Sequence, residues 1–252
     1  MSNASSVIDR KEADKHTNGV TRIGLIALAS DPTVEAEFRR MLPADGAQFF
    51  VSRVYYANDC RAEQLRAMAD GIGDAALLIL PGQRLGSIAY GCTSATVAIG
   101  PEPLAKIIER ARPGTPSATP ITGAVEACAA LGLERIAVFT PYMEAVNDTI
   151  RDFLAERGIE VARLTGLGLT SDYDIGNVPT QTIIEAAKEL DGDDVDGLFL
   201  SCTALNTAGL IKPLEQRFGK PVLTSNQCLL WQSLRLAGDR TPIDGYGRLF
   251  EN

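Results

Sequence analysis

Three short motifs occur twice along the chain, in the same order and at similar spacing. Cys92 lies 70 positions after Arg22, where the first motif starts, and Cys202 lies 67 positions after Arg135, where the matching motif starts. An ordered recurrence of this kind predicts two similar lobes rather than one irregular domain. The alternative is that α/β chains repeat strand patterns in general. The matching pairs are Arg22–Ile26 with Arg135–Phe139, Ala89–Ala95 with Phe199–Leu205, and Gly114–Pro120 with Gly219–Ser225.

Apolar runs alternate with amphipathic segments, which predicts parallel α/β sheets with right-handed crossovers. We therefore expect an α/β fold of two similar lobes, each a parallel sheet flanked by helices, related by a pseudo-twofold axis with the active site between them. We assign residues 1–20 to a flexible tail, 21–117 to the first lobe with 228–252 packing back on it, and 118–227 to the second lobe. Predicted strands are 22–30, 47–57, 75–82, 87–92, 116–120, 135–141, 160–169, 195–202 and 220–226. Predicted helices are 34–42, 61–72, 102–112, 145–158, 180–190, a segment ending near Lys212, and 229–238.

Composition excludes several classes of function. The chain has 252 residues, a formal net charge of -8 and no basic cluster, which disfavours nucleic acid or a membrane surface as a partner. No apolar run approaches the roughly 20 residues of a membrane span, so we expect a cytoplasmic protein. The single histidine, His16, lies in the polar leader. A Ser-His-Asp triad, a Cys-His pair and a histidine-based metal site therefore have no candidate in the folded part, and no motif for a nucleotide cofactor occurs.

Two of the five cysteines end equivalent strands in the two halves. A lone cysteine in such a place is more often a small buried hydrophobe, but the repeat would bring Cys92 and Cys202 to one cleft. We expect a helix to start after each, with its N-terminus favouring a thiolate. Two thiols about 6–9 Å apart would form an acid/base pair that needs no histidine. The other three, which we assign to packing in helical segments as free thiols, are Cys60, Cys128 and Cys228.

Hydroxyl side chains accompany both cysteines. Thr93, Ser94 and Thr203 offer donors that could hold a substrate carboxylate and stabilise an enediolate, although helix capping alone would also explain them. Thr119 and Thr224 end another pair of equivalent strands and have the same two interpretations. Tyr142 follows the strand 135–141 over the predicted cleft.

The motifs AYGCTS, TPY and FLSCTAL resemble the aspartate/glutamate racemase superfamily over about residues 20–240. The most similar branch holds the maleate isomerases, the arylmalonate decarboxylases and the ectoine-utilisation protein A family. This resemblance implies a cofactor-independent enzyme for a small carboxylate, commonly a homo-oligomer. It implies that Cys92 and Cys202 are the catalytic pair and that Thr93, Ser94 and Tyr142 form an oxyanion site. Decarboxylases of this branch have glycine at the first cysteine, so Cys92 favours an isomerase or racemase.

The sequence departs from the maleate isomerases at two positions. Where those enzymes carry asparagines that bind substrate carboxylates, this chain has Ser30-Asp31 and Ser171-Asp172-Tyr173. We expect Ser30 and Asp31 to contribute to substrate binding, and these departures disfavour maleate itself as the substrate. The resemblance implies a small carboxylic or amino acid, such as an intermediate of ectoine breakdown. The alternatives are an arylmalonate-type decarboxylase that uses Cys202, and a protein of this fold that binds a small molecule without turnover.

Overall fold

The computed structural model describes residues 20–251, and the predicted tail at residues 1–20 lies almost wholly outside them. The chain forms two four-stranded sheets, with strand orders β2-β1-β3-β4 and β6-β5-β7-β8, in which every pair is parallel. The strands are β1 Arg22–Leu28, β2 Gln48–Val54, β3 Ser87–Tyr90, β4 Ser117–Ala118, β5 Arg135–Thr140, β6 Glu160–Gly166, β7 Gly197–Leu200 and β8 Val222–Thr224. This confirms the predicted fold class.

The described α-helices follow the strands as crossovers and as cover for the sheets. They are α1 Val34–Met41, α2 Ala62–Ala67, α3 Ala69–Leu78, α4 Thr93–Ile99, α5 Pro101–Ala111, α6 Pro120–Leu131, α7 Glu144–Ala155, α8 Asp172–Gly176, α9 Thr180–Leu190, α10 Ile211–Phe218 and α11 Ser225–Leu236. Short 3-10 helices occupy Ala208–Leu210 and Arg248–Glu251.

The repeat in the sequence is also a repeat in strand register. Leu25 of β1 pairs with Ala89 of β3, and the equivalent Val138 of β5 pairs with Phe199 of β7. The same two strands pair onward, Ala89 with Ala118 and Phe199 with Leu223. Because the central strands end at the same level in both sheets, the residues that follow β3 and β7 occupy equivalent places.

The predicted strand at 75–82 is wrong, because residues 79–82 form bends and turns and residues 75–78 form the end of helix α3. Ala75 and Ala76 are buried there, whereas the side chains of Leu77 and Leu78 are 51% and 71% exposed. This alternation suits a helix on the sheet surface and not a strand buried on both faces. The apolar run alone could not distinguish the two.

Helix α11 packs against elements of both lobes. It starts earlier than predicted, at Ser225, and packs against α6, β3, β4 and α1. The Ser87 hydroxyl donates to Ser233 O over 2.9 Å, and Thr119 N donates to Gln232 Oε1 over 3.0 Å. The domain boundary stays a prediction, with Ala118 paired in the first sheet, one residue beyond it.

Candidate active site

Cys92 follows β3 and caps helix α4. Its backbone is extended (φ -150°), and its Sγ accepts a hydrogen bond from Ala95 N at 3.4 Å. The Ser94 hydroxyl lies 3.6 Å from the same sulfur. The expected helix N-terminus is therefore present at Cys92, and it supplies donors to the sulfur.

Cys202 lies at the equivalent position after β7, but no helix starts there. The next helical residue is Ala208, so the expectation of a helix N-terminus at Cys202 is wrong, as is the predicted end of that helix near Lys212. Cys202 has φ +146°, a region that residues with a side chain rarely adopt. The Tyr142 hydroxyl and Ala204 N–H lie near its sulfur and favour its thiolate form.

The loop after Cys202 is held by the first lobe instead of by a helix. Glu37, 3% exposed on α1, accepts hydrogen bonds from Thr207 N at 2.9 Å and from Ala208 N at 2.8 Å. The Thr33 hydroxyl donates to Ala204 O, and Asn226 Nδ2 donates to both Thr203 O and Glu37 Oε2. The geometry around Cys202 thus depends on contacts between lobes.

A chain of hydrogen bonds connects the two cysteine positions. Cys202 N donates to Ser225 Oγ at 2.9 Å, and Ser225 Oγ lies 2.9 Å from Thr93 Oγ1, next to Cys92. Ser225 is fully buried and was missed from the sequence. The sequence feature that points to Ser225 is its position directly after Thr224, at the start of α11.

Burial raises the pKa of both thiols. Desolvation raises the pKa of Cys92 to about 12, against the lowering effects of Ala95 N–H and Ser94. Desolvation also raises the pKa of Cys202, and the carboxylate of Asp172 adds to the increase. At Cys92 the helix N-terminus favours the thiolate, as expected, but loss of hydration outweighs the local donors at both thiols.

Tyr142 lies near both sulfurs. Desolvation raises the pKa of this buried tyrosine, and Coulombic interactions with Cys202 and Cys92 add to the effect. Cys60 also contributes to the rise, so this thiol lies near the pair; it precedes α2 rather than lying in a helix, and its sulfur is 3.2 Å from the Tyr56 hydroxyl.

A cavity of about 740 Å³ opens beside these residues. Ser94 and Cys60 line its inner part, and the apolar side chains of Leu65, Met143 and Val146 line the rest. Arg61, paired with Asp59, lies at the exposed side of the same cavity. The cavity adjoins the Cys92 position through Ser94, whose hydroxyl lies 3.6 Å from the Cys92 sulfur.

Two carboxylates from different lobes complete the site. Asp31 follows β1 and is 2% exposed; Asp172 starts helix α8 and is 5% exposed. The Ser30 hydroxyl donates to Asp172 Oδ2, and Asp172 N donates to Asn58 Oδ1 at 2.7 Å. Burial raises the pKa of Asp172 to about 6, with a further increase from the charge of Asp31.

The remaining predicted binding residues use their hydroxyls for structure. Thr119 Oγ1 caps α6 through Thr122 N at 3.2 Å, and Thr203 Oγ1 donates to Gly91 O at 3.1 Å. Thr224 caps α11 in the same way as Thr119 caps α6. Their assignment to substrate binding stays a prediction, and the capping contacts favour the structural interpretation. Cys128 and Cys228 are buried in α6 and α11, as predicted.

Among residues 20–251, no group of His, Cys, Asp and Glu side chains has the arrangement of a metal site. Over the same residues, no helix is long and apolar enough to cross a membrane.

The chain has two similar parallel sheets, and a cysteine follows the central strand β3 or β7 of each. This arrangement is typical of a class of α/β enzymes that act through cysteine. Residues 87–250, more than half of the chain, match the model of the arylmalonate decarboxylase family. The chain belongs to that family, and it is a cysteine-dependent isomerase or decarboxylase.

Individual relatives include both activities. The chain is 35% identical to arylmalonate decarboxylase from Bordetella bronchiseptica over 141 residues, which are 55% of this chain and span 59% of that enzyme. It is 28% identical to the maleate isomerase of Nocardia farcinica over 241 residues, 92% of this chain and 96% of that one.

Solved structures give the same two groups. A cysteine-to-serine variant of the Nocardia farcinica maleate cis-trans isomerase, with a covalently bound succinylcysteine intermediate, superposes with a TM-score of 0.84 at 25% identity, covering 92% of this chain and 98% of that one. A liganded double variant of arylmalonate decarboxylase gives a TM-score of 0.83 at 29% identity, covering 92% and 99%.

Proposed function

We propose that this protein is an isomerase or racemase of a small carboxylic or amino acid, with Cys92 and Cys202 as the reacting pair. The observation that carries the proposal is the presence of a cysteine after both central strands, with Tyr142 beside both sulfurs. The thiolate of one cysteine takes the proton from the carbon next to the carboxylate and becomes a thiol, and the thiol of the opposite cysteine delivers its proton to the other face and becomes a thiolate. Addition of one sulfur to a double bond, rotation and release would use the same pair.

The donors around each sulfur fit these roles. Thiolate formation at Cys92 is assisted by Ala95 N–H and Ser94, and at Cys202 by Tyr142 and Ala204 N–H. Negative charge that develops on the substrate carboxylate can be met by the hydroxyls of Ser94 and Tyr142, in a site that excludes water. Because both thiols have a raised pKa, substrate binding must favour the thiolate before proton abstraction.

Paired alanine variants test the isomerase proposal. Since catalytic groups that act as a unit are not additive, Cys92→Ala and Cys202→Ala should each lower turnover by several powers of ten. Turnover is measured as deuterium incorporation from D2O at the carbon next to the carboxylate. Cys128→Ala, a buried cysteine away from the pair, is the control and should retain activity. A Cys92→Ala variant with near wild-type turnover would contradict the proposal.

The second candidate is decarboxylation, favoured by the family model and by the 35% identity to the Bordetella bronchiseptica enzyme. That reaction needs one protonating thiol, which is Cys202 by its equivalence to the cysteine those enzymes retain. Cys92→Ala would then be tolerated while Cys202→Ala abolishes carbon dioxide release from a malonate. A protein that only binds a ligand would give neither deuterium exchange nor carbon dioxide release.

The resemblance to ectoine-utilisation proteins supports a further hypothesis, that the substrate is an intermediate of ectoine breakdown. It rests on sequence motifs such as LILPGQRLGSIAYGCTSATVAIG. Turnover of such intermediates in a panel with other small acids is its test, and turnover of other acids only would exclude it.

A further inference from the structure

Asp31 has one carboxylate oxygen with partners and one without. Oδ1 accepts hydrogen bonds from Thr33 N at 2.7 Å and Val34 N at 3.0 Å, at the start of helix α1. Oδ2 is buried and has no hydrogen-bond partner among the described residues. Burial raises the pKa of the Asp31 carboxyl, against the lowering effects of these two N–H groups and of the nearby Thr203 hydroxyl, whose own proton is directed to Gly91 O. Burial of a charged oxygen without a hydrogen-bond donor costs free energy. A ligand group that donates a hydrogen bond to Oδ2 would remove this cost.

Asp172 brings a second carboxylate to the same place from the other lobe. It is held by Ser30 and Asn58 of the first lobe, and its charge interacts with those of Asp31 and both reacting cysteines. The cation near Asp31 is Arg53, whose guanidinium donates to the main-chain oxygens of Leu28 and Asp31 and forms an ion pair with Glu35. Arg53 is thus already paired, and the two aspartates keep an excess of negative charge.

From this geometry we infer that Asp31 and Asp172 form a subsite for an ammonium group of the substrate, so that the enzyme acts on an amino-substituted carboxylic acid rather than on a plain dicarboxylate. The inference rests on the proposed function, since it names the substrate class of the same site. An ammonium group supplies the donor that Asp31 Oδ2 lacks and a positive charge between two buried carboxylates. A second carboxylate in that position would face like charges instead.

The subsite also gives the substrate a role in activating the thiols. Asp172 and Asp31 both disfavour the Cys202 thiolate through their charges, and Asp172 does so at Cys92. An ammonium group bound between them compensates these charges. Thiolate formation then becomes more favourable when an amino acid is bound than when a neutral or acidic ligand is bound.

Ligand pairs that differ only by an ammonium group test the subsite. Binding of 2-aminobutyrate against butyrate, and of aspartate against succinate, is measured by calorimetry and ligand-observed NMR on the full chain. We expect the wild-type protein to prefer the amino member by about tenfold or more. Asp172→Asn and Asp31→Asn should bring the two members to similar affinity, and Asn at position 31 can still cap helix α1 through its own Oδ1. Asp174→Asn, an exposed acid on the same helix, is the matched control and should keep the preference.

Equal or undetectable binding of both members to the wild type, or an unchanged preference in Asp172→Asn, would overturn the inference. Thermal melting of each variant separates loss of the subsite from loss of the fold. The outcome is distinct from that of the cysteine variants, because it is read from binding. An ammonium preference with a fully active Cys92→Ala would leave the subsite standing and reject the proposed reaction.

Discussion

At the scale of single residues, the two reacting cysteines are not equivalent. Cys92 has an ordinary extended backbone and the donors of a helix N-terminus, whereas Cys202 has φ +146° and depends on Tyr142 and on a loop. Strained backbone of this kind costs on the order of 1–3 kcal/mol and persists only where neighbours enforce it. The hydrogen bond from Cys202 N to Ser225 Oγ is one such constraint. The repeat in sequence therefore predicts the positions of the thiols but not their different environments.

Asp172 should make the protein less stable above pH 6. Burial raises its pKa from 3.8 to about 6, so the folded state binds more protons than the unfolded state between these values. The free energy of unfolding therefore falls as the pH rises through this window, by about 2–3 kcal/mol from this residue alone. Asp172→Asn removes the penalty and should be more stable than the wild type at pH 7.5, with a difference that shrinks toward pH 4. Urea unfolding of both proteins at several pH values measures it, and a pH-independent difference would contradict it.

At the scale of elements, the strands β1, β3, β5 and β7 were predictable because each is a continuous apolar run, and the helix α9 because its apolar residues recur at helical spacing. The error at 75–82 came from an apolar run whose leucines face solvent in α3. The repeat itself indicates this error, because four strands are predicted up to Cys92 in the first half and only three up to Cys202 in the second half. Helix α8, which carries Asp172, is only five residues long and is too short to show an apolar period in the sequence.

The carboxylate of Glu37 should be required for order in the loop after Cys202. Glu37→Ala leaves Thr207 N and Ala208 N buried without an acceptor, at a cost of about 2–4 kcal/mol. Hydrogen exchange of residues 202–210 should increase strongly while that of α9 is unchanged. Glu35→Ala, on the same helix but in exposed ion pairs with Arg39 and Arg53, is the control and should cost about 1 kcal/mol or less. Equal hydrogen exchange of residues 202–210 in the two variants would show that the loop is ordered without the carboxylate of Glu37.

At the scale of the whole molecule, the lobes should unfold together. One apolar core extends from Ile23 and Leu25 of the first sheet to Phe199 of the second, and helix α11 packs against both lobes. The single tryptophan, Trp231, lies on that helix. Tryptophan fluorescence and far-ultraviolet circular dichroism should give the same midpoint in urea. Two separate transitions would show that each lobe is a domain with its own stability.

The return of α11 to the first sheet has a consequence for biosynthesis. Strands β3 and β4 are made early, yet the helix that covers them is encoded by residues 225–236, after almost the entire second lobe. A nascent chain therefore has one side of its first sheet uncovered until residues 225–236 have left the ribosome. Nascent chains stalled before residue 225 should remain sensitive to protease in the first lobe, and release of the finished chain should protect it. The order of synthesis thus delays completion of the first lobe until the site can form.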